Sequence, residues 1–429
     1  MRESLSDMEV KLQFKGLPAA DPGFLHALAS EDDFKIRHAV ERLREGLFDP
    51  VAVRLLTAHE ERLKAEIEGG LNILDQGGCP HLCLVGAYGQ GKSHSLLYIR
   101  DLAIRAGYAT SRINLDPREV TFHDFRRVYR ELITHLELPG EGGPFPLHWQ
   151  AFAGQRTKGS EDPIEALRAL LPEEMPHFFK AILAAMASPD PSFPEHGKHR
   201  PRNNDLLSRY FFGLLTRALA GEPIPARYLG RIFKSCGVSF YKEGPLRCRG
   251  AAPFIAMLKG LSILLRQMGY PGWVLLFDEA EAIGQARVTS RSKGYLLLHH
   301  LFTLGPSGAA FLYPVFAFTD DFFARVEAEE YERLLVRRGT PIPCFERNYG
   351  REWRKLKIFR LHDLSKPEWE ELAIKLACLH GRAYGWNPAP DRVSQELSTR
   401  LAARTDQETR LRLKSLVDGL DLLLQEQVL

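Results

Sequence analysis

The residues Gly86, Ala87, Tyr88, Gly89, Gln90, Gly91, Lys92 and Ser93 read GAYGQGKS and fit the spacing G-x-x-x-x-G-K-[ST]. That pattern is phosphate chemistry. Glycines let the backbone curl with its N–H groups turned inward, into a concavity that accepts phosphate oxygens. Lys92 supplies a cation for the β- and γ-phosphates, and the Ser93 hydroxyl supplies a ligand for magnesium. His94, next in line, belongs to the same candidate nucleotide-contacting stretch. A glycine-rich turn that holds no ligand is the alternative.

A second set lies far along the chain. The apolar run Trp273 to Phe277 (WVLLF) is followed at once by Asp278 and Glu279, with Glu281 close behind. A buried strand that delivers a carboxylate at its C-terminal tip is what magnesium binding requires. Asp278 would hold the ion, and Glu279 would polarise an attacking water. Thr319, with Asp320 and Asp321, ends another apolar run. It would touch a γ-phosphate or a water, or else form a simple strand-ending turn. Arg337 and Arg338, in YERLLVRR, would reach a neighbouring subunit's phosphate or end a solvated helix. Arg410 lies at the edge of a late apolar helix face, where a helical lid can place an arginine over a nucleotide and where a solvated arginine also fits.

The elements needed to position these groups can be read from spacing. His81 to Val85 reads as a buried strand ahead of the loop, and Ser93 to Ala106 as a helix behind it. The positive end of that helix faces the phosphates. Tyr108 to Leu115 alternates as a second strand. Thr121 with Asp124 reads as a capping box before a helix bearing Phe122, Phe125, Val128, Tyr129, Leu132, Ile133 and Leu136. Ala309 to Phe318 is a third strand candidate in which Pro314 requires an edge or a bulge. Lys357 to Leu361 is the last. Strand and helix in alternation imply an α/β fold with a parallel sheet covered on both faces, a P-loop NTPase.

The chain divides by pattern into five stretches. Residues 1–75 form a helical lead-in, unassigned before Asp33, in which Val53 and Arg54 are candidate base contacts or ordinary packing. Residues 76–138 and 251–364 are two parts of one ATPase core. Residues 139–250 form a helical insertion broken by Gly and Pro clusters, with no convincing strand, and 365–429 form a C-terminal helical lid. From Ser188 to Gly250 eleven Lys and Arg face five acids, a local excess of +6 in a chain whose net charge is +3. A basic segment of this kind suits DNA phosphates or is simply solvated.

With 429 residues and 45% hydrophobic content the chain can bury a real core. No apolar run reaches the length of a membrane span, and the first residues lack a signal peptide's apolar core. Six scattered cysteines suggest a reducing cytosol. Cys79, His81 and Cys83 lack a second ligand pair and read as buried residues rather than a metal cluster.

Four stretches together carry a resemblance: IRHAVERLREGLFDPVAVRLLTAHEERL, LVGAYGQGKSH, VLLFDEAEAI and TRLRLKSLVDGLD. They resemble the BREX ATP-binding proteins BrxC and BrxD, and the chain's length is that of the shorter kind, BrxD. The resemblance implies an AAA+-like ATPase of a bacterial phage-defence system. It would use ATP and Mg2+, in the cytoplasm and away from membranes. It would act on or near DNA with other defence-system proteins, one of them possessing helicase-like character, and as a homo-oligomer if an arginine finger serves it. It carries Lys92 and Ser93 over as Walker A residues, Asp278 and Glu279 as Walker B, and Arg410 as a sensor-like arginine. A non-hydrolytic nucleotide-dependent switch or DNA-binding scaffold is the competing function.

Overall fold

The computed structural model describes residues 21–428 except 48, 58–59, 117, 119, 141, 189–203, 305–309, 337–344, 388–389 and 404–408. Six strands form one sheet: β1 (Leu82–Val85), β2 (Ala109–Asn114), β3 (Leu136–Glu137), β4 (Trp273–Asp278), β5 (Leu312–Phe318) and β6 (Ile358–Arg360). Their order is β3-β2-β4-β5-β1-β6. β2, β4 and β5 run parallel, with Asn114 opposite Asp278 and Phe277 opposite Phe316. Every residue of β1, β4 and β5 is buried. Strands covered on both faces need continuous apolar runs, and LCLV, WVLLFD and LYPVFAF supply them. The chain has a P-loop NTPase fold, with β5 standing between the loop strand β1 and the acid-tipped strand β4.

Two compact units make up the chain, one from the described parts of Met1–Glu66, Leu84–Asp101 and Phe359–Leu429, the other from Ile67–Cys83 and Leu102–Ile358. In the first, the N-terminal helices Asp33–Arg44 and Pro50–Leu56 share a core with the C-terminal helices Lys366–Tyr384 and Thr409–Val428, through Ile36, Val40, Leu55, Ile374, Leu376 and Leu420. Asp49 caps Pro50–Leu56, accepting from the N–H groups of Val51 (2.8 Å) and Ala52 (3.2 Å), with Pro50 pre-set at the first helical position. In the second unit, helices flank the sheet and an aromatic cluster fills the space between them.

Several local readings change in three dimensions. The helix expected from Thr121 begins at Phe125, and its N-cap residue Asp124 makes no side-chain capping bond. Phe122 instead packs edge-on to Phe277 (6.1 Å) and Phe316 (6.2 Å), which draws the preceding turn onto the sheet. Leu136, read as helical, starts the two-residue strand β3, antiparallel to β2. Pro314 sits in β5, an interior strand, opposite Leu275. The donor it lacks is offset by packing, since Phe316 two residues on stacks on Phe277 at 4.2 Å. Before Asp33 a helix Pro22–Ser30 forms, capped by the Asp21 carboxylate on Phe24 N–H at 2.9 Å. Within 139–250 the described residues contain helices and no strand.

Candidate functional site

The phosphate loop belongs to the first unit. It leaves β1 at Val85 and enters the helix Lys92–Arg105. Gly89 (φ 84°) and Gly91 (φ 87°) hold left-handed conformations that a β-carbon would oppose. Gly86 is needed for a different reason. A β-carbon there would stand 3.0 Å from Leu361 Cβ and 2.9 Å from Gln90 Oε1. Gln90 braces the curl, accepting from Ala87 N–H at 2.7 Å while its amide donates to Asp363 Oδ1 at 3.1 Å. Lys92 is buried, and its ammonium donates to the carbonyls of Gly86 (2.9 Å) and Ala87 (3.0 Å). These bonds fold the lysine back over its own loop and hold the cation against the loop's carbonyls.

Ser93 and His94 open the helix. His94 Nε2 lies 2.9 Å from the hydroxyl of Thr57, which itself donates to the Val53 carbonyl. A hydroxyl has one proton, so Thr57 accepts here and the imidazole carries its proton on Nε2. Loss of hydration drives the His94 pKa down to about 4, so the ring is neutral at physiological pH. Tyr88, by contrast, is 82% exposed at the tip of the loop. Val53 is buried, and Arg54 pairs with Glu31 and, at 3.8 Å, with Asp101.

The carboxylates belong to the second unit. Asp278 ends β4 with 5% of its side chain exposed. Its Oδ1 accepts the N–H of Glu279 at 3.1 Å, and its Oδ2 accepts from Arg112 Nη2 at 2.8 Å. Glu279 has φ 54°, alone among the described non-glycine residues in the left-handed region. Strain of that kind persists only where neighbours over-determine it. Here Ala280 N–H is tied to Ala317 O at 2.9 Å and Ala282 N–H to Glu279 O at 3.0 Å. Thr319, just past β5, donates its hydroxyl to Asp321 Oδ1 at 2.5 Å at the mouth of the helix Asp321–Val336.

Arg410 is exposed in the first turn of Thr409–Val428, in the unit that holds the loop, and its Cδ would lie 3.5 Å from a β-carbon on Gly46. Arg337 and Arg338 lie outside the described residues. Arg112, Thr57 and Asp363 were not singled out by motif. Arg112 is detectable only through strand pairing, because it lies two residues before Asn114, the register partner of Asp278.

Each unit, taken by itself, offers groups of the kind that magnesium and phosphates take. Among the described residues no three His, Cys, Asp or Glu gather as a metal cage. Magnesium does not need one, since it takes one or two protein oxygens together with phosphates and water. Ser93 and Asp278 are of that type.

Comparison with known proteins places the chain in context. A model of the family described as BREX system ATP-binding protein BrxC/D matches residues 34–144 and 250–428. A search of curated proteins gave no match. Among solved structures the chain is similar to the Walker-type ATPase PABY2304 of Pyrococcus abyssi, at 12% identity and TM-score 0.35, over 87% of this chain and 75% of that one.

Proposed function

The chain belongs to the BREX system ATP-binding protein family BrxC/D, and from that membership we propose that it hydrolyses ATP with Mg2+ to drive a conformational cycle in a phage-defence complex. The observation that carries the hydrolytic step is Glu279, held in a strained backbone directly after the buried Asp278. Strain is tolerated at a carboxylate whose direction matters. Lys92 and the loop N–H groups would bind the phosphates, and Ser93 and Asp278 would hold the magnesium, whose charge would offset that of the phosphates. Glu279 takes a proton from water as its oxygen bonds to the γ-phosphorus and the β–γ bridging bond breaks, releasing ADP and phosphate.

Action on DNA with partner proteins, a helicase-like one included, is part of the same proposal. Supporting it, the helix Ala226–Ser235 buries Leu229, Ile232 and Phe233 and turns Arg227, Arg231 and Lys234 to solvent about one turn apart. Tyr228 stands beside them with the Arg227 guanidinium 4.9 Å from its ring. Cations in a row with an exposed ring suit a phosphate backbone and its bases. Arg247 and Arg249 are exposed nearby in sequence, while Arg200 and Arg202 lie outside the described residues. A cytoplasmic site accords with the five cysteines among the described residues, all of them free, and among those residues no helix is long and apolar enough to cross a membrane. Homo-oligomerisation would supply an arginine in trans.

The test is magnesium-dependent phosphate release by the wild type and Glu279→Gln, with and without duplex DNA. We expect a loss of about 100-fold or more in the variant with nucleotide affinity retained. Tight ATP binding without turnover in the wild type, DNA and partners present, would replace hydrolysis with a nucleotide-held switch.

A further inference from the structure

We propose that Arg112 is a resident cation that occupies Asp278 until the metal arrives, and so sets the threshold of metal entry. The inference rests on reading Asp278 as a magnesium ligand. A carboxylate with 5% of its side chain exposed needs a countercharge, because a lone buried charge is strongly unfavourable. Arg112 provides it from the neighbouring strand, Nη2 to Oδ2 at 2.8 Å. That places Arg112 on an oxygen a divalent ion would also claim, while Oδ1 already accepts one bond, from the Glu279 N–H.

The way Arg112 is held favours departure. A guanidinium that grips a carboxylate with two parallel bonds is hard to displace, yet this pair has one. Its Nε is buried and finds no acceptor among the described residues, an unmet donor that costs free energy as long as the side chain stays. With 32% of its side chain exposed, Arg112 is the more solvated partner and has water to move into. Single bonding, an unsatisfied donor and an exit to solvent together describe a placeholder rather than a permanent structural pair. Metal binding then exchanges one cation for another at Asp278, and the carboxylate is never left uncompensated.

The exchange makes the metal requirement depend on a residue that need not touch metal or nucleotide. The experiment is a titration of Mn2+ into protein saturated with ADP, with free Mn2+ read by electron paramagnetic resonance, for wild type, Arg112→Gln, Arg112→Lys and Asp278→Asn. Thermal unfolding of each variant is the control for folding. A cation 2.8 Å from the ligand oxygen repels an incoming metal ion and competes for its place, so removing it is expected to tighten Mn2+ by about tenfold in Arg112→Gln. Arg112→Lys, which keeps a positive charge and covers the case in which the glutamine variant does not fold, is expected between the two. Unchanged or weaker Mn2+ binding in the Arg112 variants, with Asp278→Asn weakened, overturns the placeholder and leaves the metal-ligand reading standing. Unchanged binding in Asp278→Asn overturns the metal-ligand reading, and the placeholder with it.

Discussion

At the scale of single residues, Glu279 carries backbone strain directly after the buried Asp278. Its φ of 54° costs a residue with a β-carbon about 1–2 kcal/mol, and glycine almost nothing. Substitution to glycine or alanine removes the same carboxylate, so comparing the two isolates the backbone. Glu279→Gly is expected to be more stable than Glu279→Ala by about 1 kcal/mol after glycine's extra unfolded-state entropy is counted, reversing the usual order. Urea midpoints of the two proteins decide it, and an alanine variant equal to or above the glycine one would mean that Glu279 is not strained. The places of Lys92 after a glycine loop and of Asp278 at a strand tip were legible in the sequence because adjacent residues mark a loop or a strand end. The conformation of Glu279 was not, because it is imposed by bonds such as that from Ala280 to Ala317, 37 positions on. Arg112 was hidden for the same reason, its partner being 166 residues away.

At the scale of elements, the contact between His94 and Thr57 ties the start of the phosphate-loop helix to the end of Pro50–Leu56. Elements with strong periodicity, such as Lys92–Arg105 and Lys366–Tyr384, were legible from apolar spacing. The two-residue β3 was not, since a single period of strand alternation makes no pattern. Nor was the interior place of Pro314, which aromatic stacking decides. Two histidines of the loop-bearing unit make it sensitive to acid. His94 has its pKa brought down to about 4, and His380, wholly buried and donating to Asp421 at 2.9 Å while accepting from Trp386, is also held below the usual imidazole value by burial. Unfolded, both would take up protons near pH 6.5, so below there these two sites bind more protons in the unfolded chain than in the folded one, a window that for His94 reaches down to about pH 4. Stability from these groups is therefore whole above that window and falls as pH drops through it. Melting temperatures of the wild type are expected to decline from pH 7 to pH 5, and His94→Gln, which cannot take the proton, is expected to decline less steeply. Equal slopes in the two proteins would show that His94 does not titrate in this way.

For the molecule as a whole, the decisive question is what residues 145–249 are, since the family match stops at 144 and resumes at 250. A detachable accessory would keep its core to itself. This segment does not. Phe179 packs on Tyr129 at 5.7 Å and on Phe254 at 5.9 Å, and the Tyr129 hydroxyl donates to Leu219 O at 2.9 Å. Met175 fills the space over Gly260, where a β-carbon would fall 2.2 Å from Met175 Cγ. The rings of Tyr129 and Phe254 come from helices within the matched residues, so the segment and the family's own fold share one core inside the second unit. Phe179→Ala opens a cavity in that shared core and is expected to destabilise the protein by about 3–5 kcal/mol, whereas Leu147→Ala, at a side chain 51% exposed on a helix of the same segment, is expected to stay within about 0.5 kcal/mol. If the segment were an appendage, Phe179→Ala would produce a second, early unfolding transition and leave the main one where it was. A single transition moved to lower denaturant would establish instead that the basic helices are anchored in the framework that carries Asp278, with no hinge of independent unfolding between them.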